Sequence, residues 1–135
     1  MAASAAGAQI PEAHGGADLL RFLTDTALAM AEPTNKRMLR QLMGAAQHDD
    51  HLADAVADFT ARRRDELRAL LERGQTRGEL PDADLATLVD LVYGFLWYRL
   101  LVGHAPLDHR AAHDLTHGVL AAASPERHLT TGRNA

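Results

Sequence analysis

Three histidines recur at every fourth position near the end of the chain: His109, His113 and His117. Residues four apart lie on the same face of a helix, so this spacing would align the three imidazoles in one stripe. Two histidines one helical turn apart is also a spacing found in zinc-binding helices. No carboxylate shares the stripe, because Asp114 lies about 100° away from His113 around the helix. We therefore interpret the three histidines as polar residues at the edge of the apolar face of the helix, and we predict no metal site.

Two arginines fall on helix faces that are otherwise apolar. Arg63 lies on the side that also carries Phe59 and Leu67, and Arg99 lies inside a run of apolar residues. A buried guanidinium requires an anionic partner. One interpretation is a clamp for the carboxylate of a ligand, and the other is an internal ion pair, with Glu66 as a candidate partner. For Arg99 the structural interpretation is favoured.

The residues that carry nucleophilic catalysis are nearly absent. The chain has no cysteine, and its only serines, Ser4 and Ser124, lie near its two ends. No glycine-rich phosphate loop occurs, and the carboxylates fall at predicted helix caps and on exposed faces rather than in inward-facing pairs. We therefore predict that the protein is not an enzyme and uses no cofactor.

Length, charge and cysteine content set further limits on the class of protein. A chain of 135 residues corresponds to one domain, and its net charge of −4 does not favour nucleic acid or an anionic membrane. The absence of cysteine fits a reducing compartment. The first residues, MAASAAGAQIPEAHGG, lack the basic start and apolar stretch of a secretory signal. These features predict a cytoplasmic protein.

Apolar residues follow a helical period through most of the chain, and no strand-like alternation occurs. Five helices are predicted from the caps and breakers between them. Pro33 ends the first, Thr34 or Asn35 caps the second, Asp49 or Asp50 opens the third, Gly78 follows its end, Asp82 or Asp84 caps the fourth, Gly103 ends it, and the segment Pro106 to Asp108 begins the fifth. The fold class is therefore all-α, with a helical domain at 17–123 between flexible segments at 1–16 and 124–135.

The run LVYGFLWYRLLVG, residues 91–103, holds four of the six aromatic residues of the chain. One broad arc of this helix is apolar, and the opposite side carries Gly94, Trp97, Tyr98 and Leu101 instead of a polar surface. A helix that is apolar nearly all round must be buried nearly all round, so we predict a second chain as its cover. Asp90 and Arg99 bracket only eight residues, too few for a membrane span, which needs about 18 or more.

Two segments carry a resemblance to a known family. RGELPDADLATLVDLVYGFLWYRLLVGHAPLD, residues 77–108, resembles the penultimate helix of the C-terminal domain of TetR-family transcriptional regulators. QLMGAAQHDDHLADAVADFTARRRDELRALLERG, residues 41–74, resembles the two helices that precede it. The resemblance covers about residues 17–123 and implies a five-helix effector domain that binds a small molecule. It also implies that the last two helices pair with a second copy in an intermolecular four-helix bundle.

The family also has an N-terminal helix-turn-helix domain, and no such pattern occurs in residues 1–16. We therefore expect an effector domain without its DNA-binding half, so that DNA is contacted only through the missing domain. The alternative is a ligand-free helical module that dimerises or binds an intact regulator. A helical hydrolase or metal-dependent enzyme is a third and weaker hypothesis.

Given this resemblance, several apolar and basic side chains are candidates to line a ligand pocket. Methionines at helical spacing, however, more often belong to the hydrophobic core. The expected ligand is apolar or weakly anionic. The predicted ligand-binding residues are Phe22, Met38, Leu42, Phe59, Arg63, Phe95 and Arg99. The predicted residues of the homodimer interface are Gly94, Trp97, Tyr98, Leu101, Leu115 and Val119.

Overall fold

The structure, a computed structural model, describes residues 16–124. The helices in this range are α1 (Gly16–Ala31), α2 (Pro33–Ala46), α3 (Asp50–Thr76), α4 (Leu85–Val102) and α5 (His109–Ala122). No strand occurs in the same range, so the predicted all-α fold of five helices is confirmed. Except for Gly16 and Ser124, the two segments predicted to be flexible lie outside the described residues.

Aspartates begin three of the helices, as the sequence predicted. The carboxylates of Asp49, Asp84 and Asp108 each accept a hydrogen bond from a backbone N–H in the first turn of α3, α4 and α5. These bonds satisfy N–H groups that have no partner within the helix. At the other end of α4, Gly103 adopts a left-handed conformation with φ of 72° and stops the helix.

The predicted cap of α2 was wrong by two or three residues. The structure places Glu32 at the cap, where its Oε1 accepts a hydrogen bond from the backbone N–H of Asn35 at 2.8 Å. Pro33 then occupies the first helical position, which suits its fixed φ and its lack of an N–H group. Thr34 and Asn35 therefore already belong to the first turn.

The core lies between α1, α4, α5 and the C-terminal half of α3. One face of α4 supplies six buried residues, and α1 packs along α5. The largest side chains that are fully buried are Leu19, Leu23, Leu67, Leu71, Val89, Val92, Leu96, Leu100, Thr116 and Val119. Thr116 is the one polar member of this set, and its hydroxyl donates to the carbonyl of Ala112 at 2.8 Å.

A tight turn leads from α3 into the segment before α4. The backbone N–H groups of Glu79 and Leu80 donate to the carbonyl of Gly74 at 2.8 and 3.1 Å, and Gly78 has φ of 76° in the position predicted for it. A Cβ atom on Gly74 would lie 2.8 Å from Cδ1 of Leu80. A side chain at position 74 would therefore require Leu80, which packs against the end of α3, to shift.

No other part of residues 16–124 covers the outer face of α4. Leu91, Tyr98, Leu101 and Val102 are between 40 and 61% exposed, and a Cβ atom on Gly94 would meet nothing within 4 Å. By length and composition, α4 could also cross a membrane, with a mean hydropathy of 1.5 over 18 residues. The central helix of a soluble protein passes the same test, and the buried face of α4 packs into the core, so this property is weak support for a membrane span.

Candidate functional site

A cavity of about 340 Å³ lies between the first four helices, a volume within the usual range of small-molecule pockets. Each of these helices contributes two or more side chains to its wall. The lining residues are Thr26, Ala29 and Met30 of α1, Asn35, Met38 and Leu39 of α2, Phe59, Thr60 and Arg63 of α3, and Tyr93 and Trp97 of α4.

On the side of α2 and α3, the cavity wall carries large apolar side chains that remain partly exposed. Met38 is 53% exposed and Phe59 is 41% exposed, although both lie on the apolar sides of their helices. Fully burying an exposed side chain of this size is favourable by about 1.5 to 3 kcal/mol, so a guest that covered the exposed part of each would gain a fraction of that free energy. The long, flexible side chain of Met38 can adapt to the shape of that guest.

Arg63 is the one charged residue of the lining, and three neighbours hold its side chain. Its Nη1 donates to Oε1 of Glu66 at 2.6 Å, and its Nη2 donates to the hydroxyl of Thr26 at 3.2 Å. Its guanidinium also lies 5.5 Å from the centre of the Phe22 ring. The cavity wall thus carries a fixed positive group that Glu66 partly neutralises.

The other polar groups of the wall mostly donate to the protein's own carbonyls. Tyr93 donates its hydroxyl proton to the carbonyl of Arg63 at 3.2 Å, and burial raises the pKa of this phenol, which stays neutral at physiological pH. The Asn35 amide donates to the carbonyl of Ala29 at 3.0 Å, and the Thr60 hydroxyl donates to that of Val56 at 2.8 Å. The cavity wall is therefore mostly apolar, and few of its hydrogen-bond donors are unused.

The structure divides the predicted ligand-binding residues into two groups. Met38, Phe59 and Arg63 line the cavity, whereas Phe22, Leu42, Phe95 and Arg99 are outside its lining. Phe22 and Phe95 each lie beneath an arginine, with Phe95 centred 4.3 Å from the guanidinium carbon of Arg99. Arg99 itself donates from Nη1 to the carbonyl of Pro106 at 3.0 Å, on the loop before α5. Of the two arginines for which an ion pair with Glu66 was considered, Arg63 makes it.

Five lining residues with functional groups or rings were not among the predicted ligand contacts: Thr26, Asn35, Thr60, Tyr93 and Trp97. Tyr93 and Trp97 are four residues apart on α4, so they share one face of the helix. This aromatic pair was a usable signal in the sequence, because its face lies between the buried arc and the outer side of α4.

The residues predicted for the dimer interface also fall in different places. Gly94, Tyr98 and Leu101 lie on the outer face of α4, as expected for a surface that meets a second chain. Trp97 lines the cavity, and Leu115 and Val119 are buried in the chain's own core at 5 and 2% exposure. Those two side chains point inward because α5 turns that face towards the core formed with α1 and α4.

Two of the three histidines in the stripe on α5 lie close together. The rings of His113 and His117 lie 4.7 Å apart at an angle of 58°, and Nε2 of His117 is buried with no hydrogen-bond partner in the described part of the chain. Among residues 16–124 the structure brings no three histidine, aspartate or glutamate side chains into an arrangement that could hold a metal ion.

The comparisons with known proteins give the family of this helical domain. Residues 16–119 match the family described as "Tetracyclin repressor-like, C-terminal domain". The chain therefore belongs to the TetR family of transcriptional regulators, as predicted from residues 77–108.

One curated relative is the uncharacterized HTH-type transcriptional regulator YdeS of Bacillus subtilis (strain 168). It is 34% identical over an alignment of 115 residues, which covers 81% of this chain and 54% of the relative. The chain thus spans about half the length of the curated relative that it matches.

Proposed function

We propose that the described helices are the effector-binding and dimerisation domain of a cytoplasmic TetR-type transcriptional regulator. The observation that carries the proposal is the cavity of about 340 Å³ whose wall is drawn from four helices of a domain in this family. Operator binding belongs, in this proposal, to a helix-turn-helix half outside these helices. The excess of 18 acidic over 14 basic residues supports this division, because phosphate contacts depend on lysine and arginine.

The ligand we propose is a small apolar or weakly anionic compound. Met38, Phe59 and Trp97 supply adaptable and aromatic contact surface, and Tyr93 and Thr60 supply polar positions at the wall. Arg63 provides the single cation that would favour a weak acid over a base. Because Glu66 already pairs with Arg63, a strongly charged anion gains less from this arginine than from an unpaired one.

The second part of the proposal is a two-fold dimer through the outer face of α4. Leu91, Tyr98, Leu101 and Val102 expose apolar surface side by side, and monomers rarely leave a contiguous patch of this kind in water. In an isologous contact the same face of a second copy covers it. Gly94 lies within this face and would let the two helices approach closely.

Thermal-shift screening of fatty acids, aromatic compounds and antibiotics tests the ligand proposal. A ligand that binds only the native state stabilises it by about 2.7 kcal/mol at a hundred times its dissociation constant, so hits should raise the melting midpoint clearly. Phe59→Trp adds volume at the cavity wall and should abolish these shifts. Leu28→Trp, at an exposed position of α1 outside the lining, is the matched control and should leave them intact.

The ligand-free dimerisation module is the second candidate, and the uncovered face of α4 is the observation that favours it. It predicts a stable dimer with no hit in the screen, or with hits that respond equally to Phe59→Trp and Leu28→Trp. Hits that disappear only in Phe59→Trp would exclude it.

A further inference from the structure

A second cleft, of about 310 Å³, lies where the start of α2 meets the end of α4 and the loop before α5. Its titratable lining residues are all basic: Lys36, Arg99 and His104. The other lining residues are Ala31, Leu100, Gly103, Ala105, Pro106 and Leu107, so no carboxylate contributes to the wall. This cleft shares no lining residue with the effector cavity described above.

The two fixed cations of the cleft differ from most arginines of the described chain. Six arginines have a carboxylate oxygen within 4 Å: Arg21, Arg63, Arg64, Arg68, Arg77 and Arg110. Lys36 and Arg99 have no such partner among residues 16–124. In a protein with net charge −4, carboxylates are plentiful, so their absence here leaves an electropositive concavity.

Arg99 is held in position before any ligand arrives. Its Nη1 donates to the Pro106 carbonyl at 3.0 Å, and its guanidinium lies 4.3 Å from the centre of the Phe95 ring. These two contacts fix the plane of the guanidinium and leave its other N–H groups without an acceptor in the described chain. A fixed, planar donor group costs less side-chain entropy when it binds a planar or tetrahedral oxyanion.

The basic surface continues beyond the cleft along α2. A neighbouring depression is lined by Ala31, Pro33, Lys36, Arg37, Arg40 and Gln41, so Lys36 and Ala31 belong to both concavities. Arg37 and Arg40 also lack an ion-pair partner among the described residues. The positive potential at Lys36 is therefore reinforced from the same helix.

We propose that this cleft binds a compact oxyanion with two or more negative charges, either a phosphate or the clustered carboxylates of a small acid. Lys36 and Arg99 neutralise the charge, the guanidinium of Arg99 donates to its oxygens, and His104 supplies a further donor at the rim. The anion site is separate from the effector cavity and does not depend on the identity of the effector.

Calorimetric titration of the whole chain tests the proposal, with inorganic phosphate in one arm and citrate in the other, both at constant ionic strength. Calorimetry is chosen because phosphate and similar salts stabilise folded proteins generally, without a specific site. We expect saturable binding of one anion per chain in at least one arm. Lys36→Gln should weaken it by about tenfold, the usual effect of removing one charge-assisted hydrogen bond.

Arg62→Gln is the matched control, because Arg62 is exposed on α3, lies outside the cleft and also has no ion-pair partner among the described residues. It should bind the anion as the unmodified chain does. Arg99→Gln should weaken binding at least as much as Lys36→Gln. If Arg99→Gln does not fold because the Pro106 contact is lost, the Lys36→Gln variant tests the anion site on its own, because Lys36 is exposed.

Binding of phosphate alone or of citrate alone supports the site and assigns its ligand as a phosphate or a carboxylate cluster. The proposal is overturned if neither anion binds saturably at millimolar concentration. It is also overturned if Lys36→Gln and Arg62→Gln weaken binding equally, since the cations would then act only through net charge.

Discussion

The two halves of α3 lie in different surroundings. In the C-terminal half, Leu67 and Leu71 are fully buried against the core, and Gly74 contacts Leu80 closely. In the N-terminal half, from Asp50 to Glu66, no residue is buried, and Phe59 is 41% exposed. The helix is continuous, so the difference comes from its neighbours rather than from its own conformation.

This contrast separates the part of the domain that fixes the fold from the part that encloses space. The end of α3 packs against α1 and α4, and its buried leucines belong to the core. The start of α3 and α2 instead form one wall of the cavity, where side chains have room to change position. In our proposal, an apolar guest therefore binds without repacking of the core.

The largest effect should come from truncating the same residue type in the two halves. Leu67→Ala removes a fully buried side chain and should lower the free energy of unfolding by about 3 kcal/mol or more. Leu52→Ala, at a partly exposed position, should lower it by about 1 kcal/mol or less. Urea unfolding of both variants at one protein concentration measures the difference. Equal losses would show that the two halves are packed alike.

The next effect concerns the outer face of α4. Leu101→Glu places like charges near the proposed two-fold axis and should weaken self-association by about a hundredfold, or about 2.7 kcal/mol. Sedimentation velocity over a range of concentrations measures it. Ala61→Glu, at an exposed site of α3, is the control and should leave the dimer unchanged. A monodisperse monomer for the unmodified chain at micromolar concentration would contradict the dimer itself.

A smaller effect distinguishes two helical glycines that have open space around them. A Cβ atom at Gly44 or at Gly94 would meet nothing within 4 Å in the chain. Gly44→Ala should therefore stabilise the protein by up to about 1 kcal/mol through helix propensity. Gly94→Ala should lose that gain and weaken the dimer, because a partner helix approaches there in our proposal. Thermal unfolding compares them, and an equal gain in both would remove Gly94 from the interface.

The smallest effect is expected at the ion pair that joins α3 to α4. Arg64 donates from Nη1 to Asp90 at 2.6 Å, but the two side chains are 39 and 68% exposed. Asp90→Asn should therefore lower the free energy of unfolding by no more than about 0.5 kcal/mol. The difference should shrink further in high salt, because ions screen exposed charges. A loss above about 2 kcal/mol in chemical denaturation would mean that the pair is structurally essential.

The sequence was sufficient to predict the helices because the residues that start and end a helix act on its nearest turn. Asp49, Asp84 and Asp108 mark helix starts through side-chain bonds to the next turn, and Gly103 marks an end through its φ. The start of α2 was misassigned because Glu32 is a less usual capping residue than the Thr34 and Asn35 beside it. In each case the deciding interaction spans only a few residues.

The cavity was harder to predict because its wall depends on how distant helices lie relative to one another. Trp97 was assigned to the outer face of α4 from its angle on the helix, but α2 and α3 leave space at that angle and Trp97 lines it. Arg99 was weighed as a ligand clamp, yet its carbonyl partner is Pro106, whose position depends on the fold of the loop. Periodicity gives the angle of a side chain and not the element that it meets.

Trp97 also provides the most direct measurement of the central claim, that the cavity bounded by α2 and α3 binds a small apolar molecule. It is the only tryptophan of the chain, and it lines the cavity. Compounds that raise the melting midpoint should change its fluorescence saturably, at one molecule per chain and with the same affinity that calorimetry gives. Compounds that stabilise the protein while leaving Trp97 emission unchanged at saturation would contradict the claim and place the ligand elsewhere.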